Sequence, residues 1–352
     1  MFGERVTKEN AARFMISRVV ALIAITAIAA AFAQGTNAAG EIHDAQRLMV
    51  AQKYSQARAK VTAVLQTDPG NIDAIFTLAT IEQTRILDYE SYTIDGRRFL
   101  AFADSLLKIL EARQPYLTGA DSVRCMFYRA NILGGIGVVR AKRGSWIDGA
   151  RIALSAQNLY RQIKRIDPDH LGADLGLGVF DYYLGTSLQR IPFVSGASAE
   201  RGLQAIERSL NAPFPFNVAA KSSYSWILMD RQQFRRADSL AVSAQRYAPG
   251  STIFLRIRAH AALWGGDYDN AIVFAERLAA ASRSRTPVNW SDLMASHYII
   301  ASSHDKTGRR NEAHAAAIKA LELPIPDAHR NIPHVRDHIR NLTGIRNRNR
   351  PR

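Results

Sequence analysis

From Gln34 onward the apolar residues recur at helical spacing, in stretches separated by short clusters of Pro, Gly, Asn and Asp. No stretch shows the period of two that a half-buried strand requires, so the pattern predicts an all-α chain. The breaks are chemically alike: Asp68-Pro69-Gly70-Asn71, Asp167-Pro168-Asp169 and Ala248-Pro249-Gly250-Ser251 each follow one helical stretch and precede another. Proline there stops a helix, and the polar residue after it can cap the next. The first helix of the series is expected over roughly Ala38 to Ala51.

The pattern also repeats. Between Val218 and Arg285, Phe234, Ala237, Ala241, Ala244 and Pro249 occupy the second-helix and turn positions of one unit. Ala259, Gly266-Asp267-Tyr268, Ala271, Ala275 and Leu278 occupy those of the next, 34 residues on. Tyr54, Ala57, Val61, Val64 and Pro69 fit the same template without a gap. These segments resemble tetratricopeptide repeats (TPRs), in which two antiparallel helices cross at small residues and a proline follows the second. Further units match with insertions. Ile75, Leu78 and Ala79 open one whose second helix, with Ala103, Leu107, Leu110 and Pro115, is delayed by a polar stretch from Asp88 to Arg98. Leu133, Ile136 and Gly137 open another that ends with Ala156, Tyr160, Ile163 and Pro168. Leu177 and Gly178 open a unit interrupted by Thr186 to Ser198, and Ile300, Ala301, Gly308, Ala313, Ala317 and Ala320 form the last, ending at Pro324. About seven units thus run from Ala38 to Pro326, more than the three or so that a solenoid needs. The expected fold is an all-α, TPR-like superhelical solenoid of antiparallel helix pairs.

The segment Gly176-Leu-Gly-Val-Phe-Asp-Tyr-Tyr-Leu-Gly also resembles a group of exported bacterial TPR proteins. This suggests a bacterial periplasm and brings no activity with it. The amino terminus fits export. Arg5, Lys8, Arg13 and Arg18 precede an uninterrupted apolar run from Val19 to Ala33 that ends in Ala31-Phe32-Ala33. The run is shorter than the roughly 20 residues that span a bilayer, and its small-residue exit offers a cleavage site before Gln34. The expected organisation is a signal peptide over 1–33, a repeat array over 34–328, and a basic C-terminal helix with a disordered tail over 329–352; the mature protein would be periplasmic or secreted. An uncleaved anchor or a buried helix are the alternatives for the first segment.

Charge is unevenly placed. The chain carries 46 Lys plus Arg against 31 Asp plus Glu. From His329 to the end, seven arginines stand against the single acid Asp337, so this tail supplies +6 of the net +15. Arg346, Arg348, Arg350 and Arg352 are therefore candidates for contact with an anionic membrane or polyanion, and Gly344 to Arg352 should be disordered because its arginines repel and only Ile345 is a sizeable apolar residue. The folded part is only mildly basic, and nucleic acid is not an expected partner.

Chemistry is sparse. Cys125 is the only cysteine, which removes intramolecular disulfides and cysteine-based metal or redox motifs; among Val123, Met126 and Phe127 it reads as a small buried hydrophobe. Gly134-Gly135-Ile-Gly137 and Gly176-Leu-Gly178 lack the third glycine and the preceding strand of a phosphate loop, and instead suit close helix approach. His334 and His338 lie four apart near His329 without a carboxylate to complete a metal site, which reads as a solvated face. His297 and His304 match core or groove positions equally. No catalytic residue, metal or cofactor is expected.

TPR proteins that bind peptides use first-helix positions facing the concave surface. The resemblance places Tyr182, Trp226, Arg256, His260, Trp264 and Tyr298 there, aromatic and arginine side chains of the kind that dominate interfaces. The same rings could equally pack between repeats. The insertion Thr186 to Ser198 is either a partner-facing loop or an apolar loop folded over its own repeat. The expected function is a scaffold that binds a protein or peptide. Alternatives are envelope tethering through the basic tail, or an enzyme with an unrecognised groove site.

Overall fold

A computed structural model describes residues 37–188, 197–212 and 216–351. The proposed signal peptide, Arg352 and most of the Thr186 to Ser198 insertion lie outside the described residues.

Among the described residues sixteen α-helices form seven successive pairs followed by a C-terminal extension, and there is no strand. The pairs are α1 (Asn37–Val50) with α2 (Tyr54–Thr67), α3 (Ile72–Tyr89) with α4 (Gly96–Arg113), α5 (Gly119–Lys142) with α6 (Trp146–Ile166), and α7 (Leu171–Leu188) with α8 (Ala197–Ser209). Then come α9 (Phe216–Asp230) with α10 (Phe234–Gln245), α11 (Thr252–Gly265) with α12 (Tyr268–Arg283), and α13 (Trp290–Lys306) with α14 (Arg310–Leu321). The short α15 (Asp327–Arg330) leads into α16 (Pro333–Arg348). The expected all-α array of TPR-like antiparallel pairs is what the chain forms.

One local device builds most of the pairs. Gln52, Glu90, Gly144, Gln232, Gly266 and Gly308 all have positive φ. In each case the next amide donates to a carbonyl five residues back: Lys53 to Leu48, Ser91 to Ile86, Ser145 to Arg140, Gln233 to Leu228, Asp267 to Ala262 and Arg309 to His304. This left-handed closure satisfies the last carbonyls of the first helix and reverses the chain into the second. In the Gly266-Asp267-Tyr268 version, glycine takes the φ of +80° without strain and the Asp267 carboxylate accepts from the Asn270 amide. Counting three, seven and ten residues from Tyr54, Phe234 and Tyr268 leads to Ala57, Val61 and Val64, to Ala237, Ala241 and Ala244, and to Ala271, Ala275 and Leu278, all buried. These buried residues, alanine at most positions, line the packed face of each second helix.

The chain divides into two compact units. Among the described residues, the first comprises 37–49, Lys53–Thr84 and Gly96–Ser223; the second comprises Val50–Gln52, Arg85–Asp95 and 224–351. In the first unit an aromatic core gathers on Phe127, whose ring lies 6.1 Å from Tyr160 and 5.7 Å from Phe216, while Phe76 stacks on Tyr128 at 3.9 Å. Cys125 is buried, and burial pushes its thiol up to about 11, as suits a small core residue. Gly137 faces Gly149, and Gly178 faces Gly202, at backbone contact distance, so the glycines do serve helix approach.

The polar stretch from Asp88 to Arg98 opens inside a helix: α3 runs on to Tyr89, and Asp88, Tyr89, Ser91 and Tyr92 are buried in the second unit. One expectation needs correction: the tail is not disordered beyond Leu342. α16 continues to Arg348, with Val335, Leu342 and Ile345 buried in the core formed with Met294, Ala301, Ala313 and Ala317. Arg310 donates to the Arg348 carbonyl at 2.9 Å, the His314 ring lies 2.8 Å from the Arg346 carbonyl, and Asp305 accepts from Arg348 and Asn349. Burial opposes the Asp305 charge, but those two hydrogen bonds outweigh it and hold its carboxyl below the ordinary value. Local partners thus offset the arginine repulsion on which the expectation of disorder rested.

Candidate functional site

The second unit holds five of the six groove candidates and brings four of them, Trp226, His260, Trp264 and Tyr298, onto one face. Trp226 on α9 and His260 on α11 occupy equivalent positions, each six residues before its left-handed turn residue, and their rings lie 5.7 Å apart. Trp264, one turn along α11, meets the His260 ring edge-on at 5.1 Å. On α13, Tyr298 stacks at 4.7 Å on His338 of α16, and His338 meets His334 edge-on at 5.8 Å. The result is a band of six rings from four helices. Trp226, His260, Trp264, Tyr298, His334 and His338 are all half-buried. Trp264 and Tyr298 rest against the core of Ala259, Leu263, Ala271 and Ile299, so these rings both pack and present a surface.

Burial, reinforced by the neighbouring His334 and His260, holds the His338 imidazole well below its ordinary value. His297, buried on α13, is held down to about 4 by burial first and then by Arg283 and Lys319. The expected solvated histidine face is thus corrected: His338 turns inward onto Tyr298, and His334 lies 3.5 Å from Glu90.

Arg256 has a different role from the one expected. Rather than presenting a guanidinium to a partner, it is tied into a buried network under the band. It pairs with both Asp292, on α13, and Asp88, at the end of α3, its Nη2 lying 3.1 Å from an Asp88 carboxylate oxygen. Arg285 reaches the other Asp88 oxygen at 2.6 Å and stacks on the Tyr89 ring at 4.4 Å. Asn289 donates to the Asp88 carbonyl and to Asp292, and Ser291 donates to the Tyr89 carbonyl. The Gln52 side chain accepts from the Thr252 amide at 2.7 Å. Burial, with the nearby Asp88 charge, pushes the Asp292 carboxyl up to about 6 against the pull of Arg256. Burial works against the Arg256 charge too, but Asp292 and Asp88 outweigh it and hold the guanidinium above its usual value.

Tyr182 belongs to the first unit, where it is buried edge-on against Tyr183 at 5.1 Å, and it is not part of the band. Among the tail candidates, Arg348 pairs with Asp305 at 2.8 Å, Arg346 hydrogen-bonds the Asn347 side chain, and Arg350 is exposed. The described residues contain no group of three His, Cys, Asp or Glu placed to hold a metal ion.

Sequence reasoning missed Asp88, Arg285 and Asp292, and it singled out His334 and His338 without placing them on this face. Two signals pointed to them. The Asp88 insertion interrupts an otherwise regular repeat while carrying Tyr89 and Tyr92, and the histidine pair falls where one more first helix would follow the last repeat. No family model matches the chain, and no curated protein matches it. Among solved structures it is similar to a tetratricopeptide repeat protein from Parabacteroides merdae, at 13% identity and a TM-score of 0.40, over 88% of this chain and 100% of that one. The resemblance to tetratricopeptide repeats therefore rests on the chain's own paired helices and their shared turn.

Proposed function

We propose that the protein is an exported scaffold that binds a protein or peptide through the ring band of its second unit. The observation that supports this reading best is the convergence of two tryptophans, a tyrosine and three imidazoles from four helices on one half-buried face. Rigid aromatic side chains contribute large contact area at low entropic cost, and with His338 neutral the face suits apolar, aromatic or proline segments of a polypeptide better than a charged ligand. Arg256 supports the face from beneath.

The test changes Trp226, Trp264 and Tyr298 together to alanine and leaves Arg256 intact, then compares capture of envelope proteins with the parent chain. Each lost anchor could weaken binding by about 2 kcal/mol, so the proteins held by the parent should be lost while helical content is kept. Changing Arg346, Arg348 and Arg350 to alanine should leave capture intact. If the tail variant abolishes capture and the ring variant does not, tethering through the tail replaces this reading.

Export rests on the Val19 to Ala33 run and the Ala31-Phe32-Ala33 exit. Intact mass of protein recovered from the envelope should correspond to a chain beginning at Gln34. A mass that includes residues 1–33 would make the segment an anchor.

A further inference from the structure

We infer that the outward face of α6, in the first unit, is a contact surface for an anionic lipid membrane. Elsewhere the second helices expose isolated apolar side chains, Ile109 on α4, Val242 on α10 and Val273 on α12, as any soluble surface does. α6 differs. Trp146 is 59% exposed, Ile147 58% and Leu154 49%, and Ala150 is exposed between them. On a helix these four fall within about 100° of arc, so they form one stripe over the first two turns.

The charges around the stripe point to the occupant. Arg161 and Arg165, both exposed, continue the same arc through the last turns of α6, and Lys142 and Arg143, both half-buried and Arg143 packed over Gly96, precede the turn into Trp146. Arg151 flanks it, loosely paired at 3.7 Å with Asp148, which is the single acid in the helix. Lys164 is turned away to Asp174. An apolar stripe containing tryptophan with basic residues at both ends is the pattern of a helix that lies in a membrane interface, its rings at headgroup depth and its cations among anionic headgroups. A second copy fits poorly, because apposing two such faces would bring basic ends against basic ends or against each other's flanking arginines.

The experiment uses the full chain and reads Trp146 itself, so that any other membrane-binding segment contributes equally to each sample. Tryptophan quenching by brominated lipid is measured for the parent chain and for Trp146→Phe, and their difference reports Trp146. Vesicles are of phosphatidylcholine alone or mixed with phosphatidylglycerol. The difference should appear on the phosphatidylglycerol vesicles, be absent on phosphatidylcholine alone, and fade with added salt. In the background Arg161→Glu/Arg165→Glu, whose substitutions are both exposed, the lipid concentration giving half-maximal Trp146 quenching should rise at least about tenfold. Absence of the difference on anionic vesicles overturns the inference, as does equal quenching on neutral ones or indifference to the Arg161 and Arg165 changes. Lipid-independent association that depends on Trp146, read by sedimentation, would overturn it in favour of a protein interface.

Discussion

Replacing Asp88 with alanine should destabilise the protein by about 3 to 5 kcal/mol, the range expected when one partner is removed from a buried charge network. The Asp88 carboxylate is fully buried and faces both Arg256 and Arg285, whose side chains are themselves 15% and 13% exposed. Asp292 would then be left as the one carboxylate beneath Arg256, and Arg285 would lose its 2.6 Å partner. The contacts of the Asp88 carbonyl with Arg256 and Asn289 involve backbone and would survive the change, so the loss reports the carboxylate. Denaturant unfolding of the parent, Asp88→Ala and Asp88→Asn measures it, with the shape-conserving asparagine falling between the other two. A second readout separates charge from packing. Asp88 raises the Asp292 carboxyl, so in Asp88→Asn the latter should titrate below about 6. An unchanged unfolding midpoint together with an unchanged Asp292 titration would show that the network contributes nothing.

The repeat array was legible because the information that specifies it is local. A left-handed residue, a turn, an aromatic residue and alanines at fixed offsets all lie within a dozen positions, and each acts on its own helix pair. The Asp88 network was not legible for the opposite reason. Its partners Arg256 and Asn289 lie 168 and 201 residues away, and a polar run between helices reads as solvated until those partners are in place. The tail was misread in the same way, since its repulsion is visible in composition while Asp305, Arg310 and His314, which hold it, belong to other helices. At the candidate face the offset of 34 residues found Trp226 and His260, but it gave Arg256 the role of a partner contact. Helical phase says which way a side chain leaves its helix, and not whether a carboxylate from elsewhere meets it.

The glycines test how far the local reading of helix approach holds. A Cβ at Gly202 would lie 2.5 Å from the Gly178 carbonyl oxygen and 2.6 Å from the Tyr182 backbone nitrogen, and one at Gly178 would lie 2.7 Å from the Gly202 carbonyl oxygen. These are backbone atoms, so no rotamer change relieves the clash and α7 must move away from α8. Two effects compete in Gly202→Ala. Helix propensity favours alanine by about 1 kcal/mol, and overpacking opposes it by about 1 to 3 kcal/mol. Because the obstruction is backbone on the facing helix, overpacking should win, giving a net loss of about 1 kcal/mol for alanine and about 3 kcal/mol for leucine. Gly40 on α1 supplies the contrast. Nothing lies within 4 Å of a Cβ there, so Gly40→Ala meets only the propensity effect and should stabilise by up to about 1 kcal/mol. Opposite signs for the same chemical change at Gly202 and Gly40, read from denaturant midpoints, are the expected result. A stabilising Gly202→Ala would mean that α7 and α8 do not approach at backbone distance, and that the glycines of this repeat have another cause.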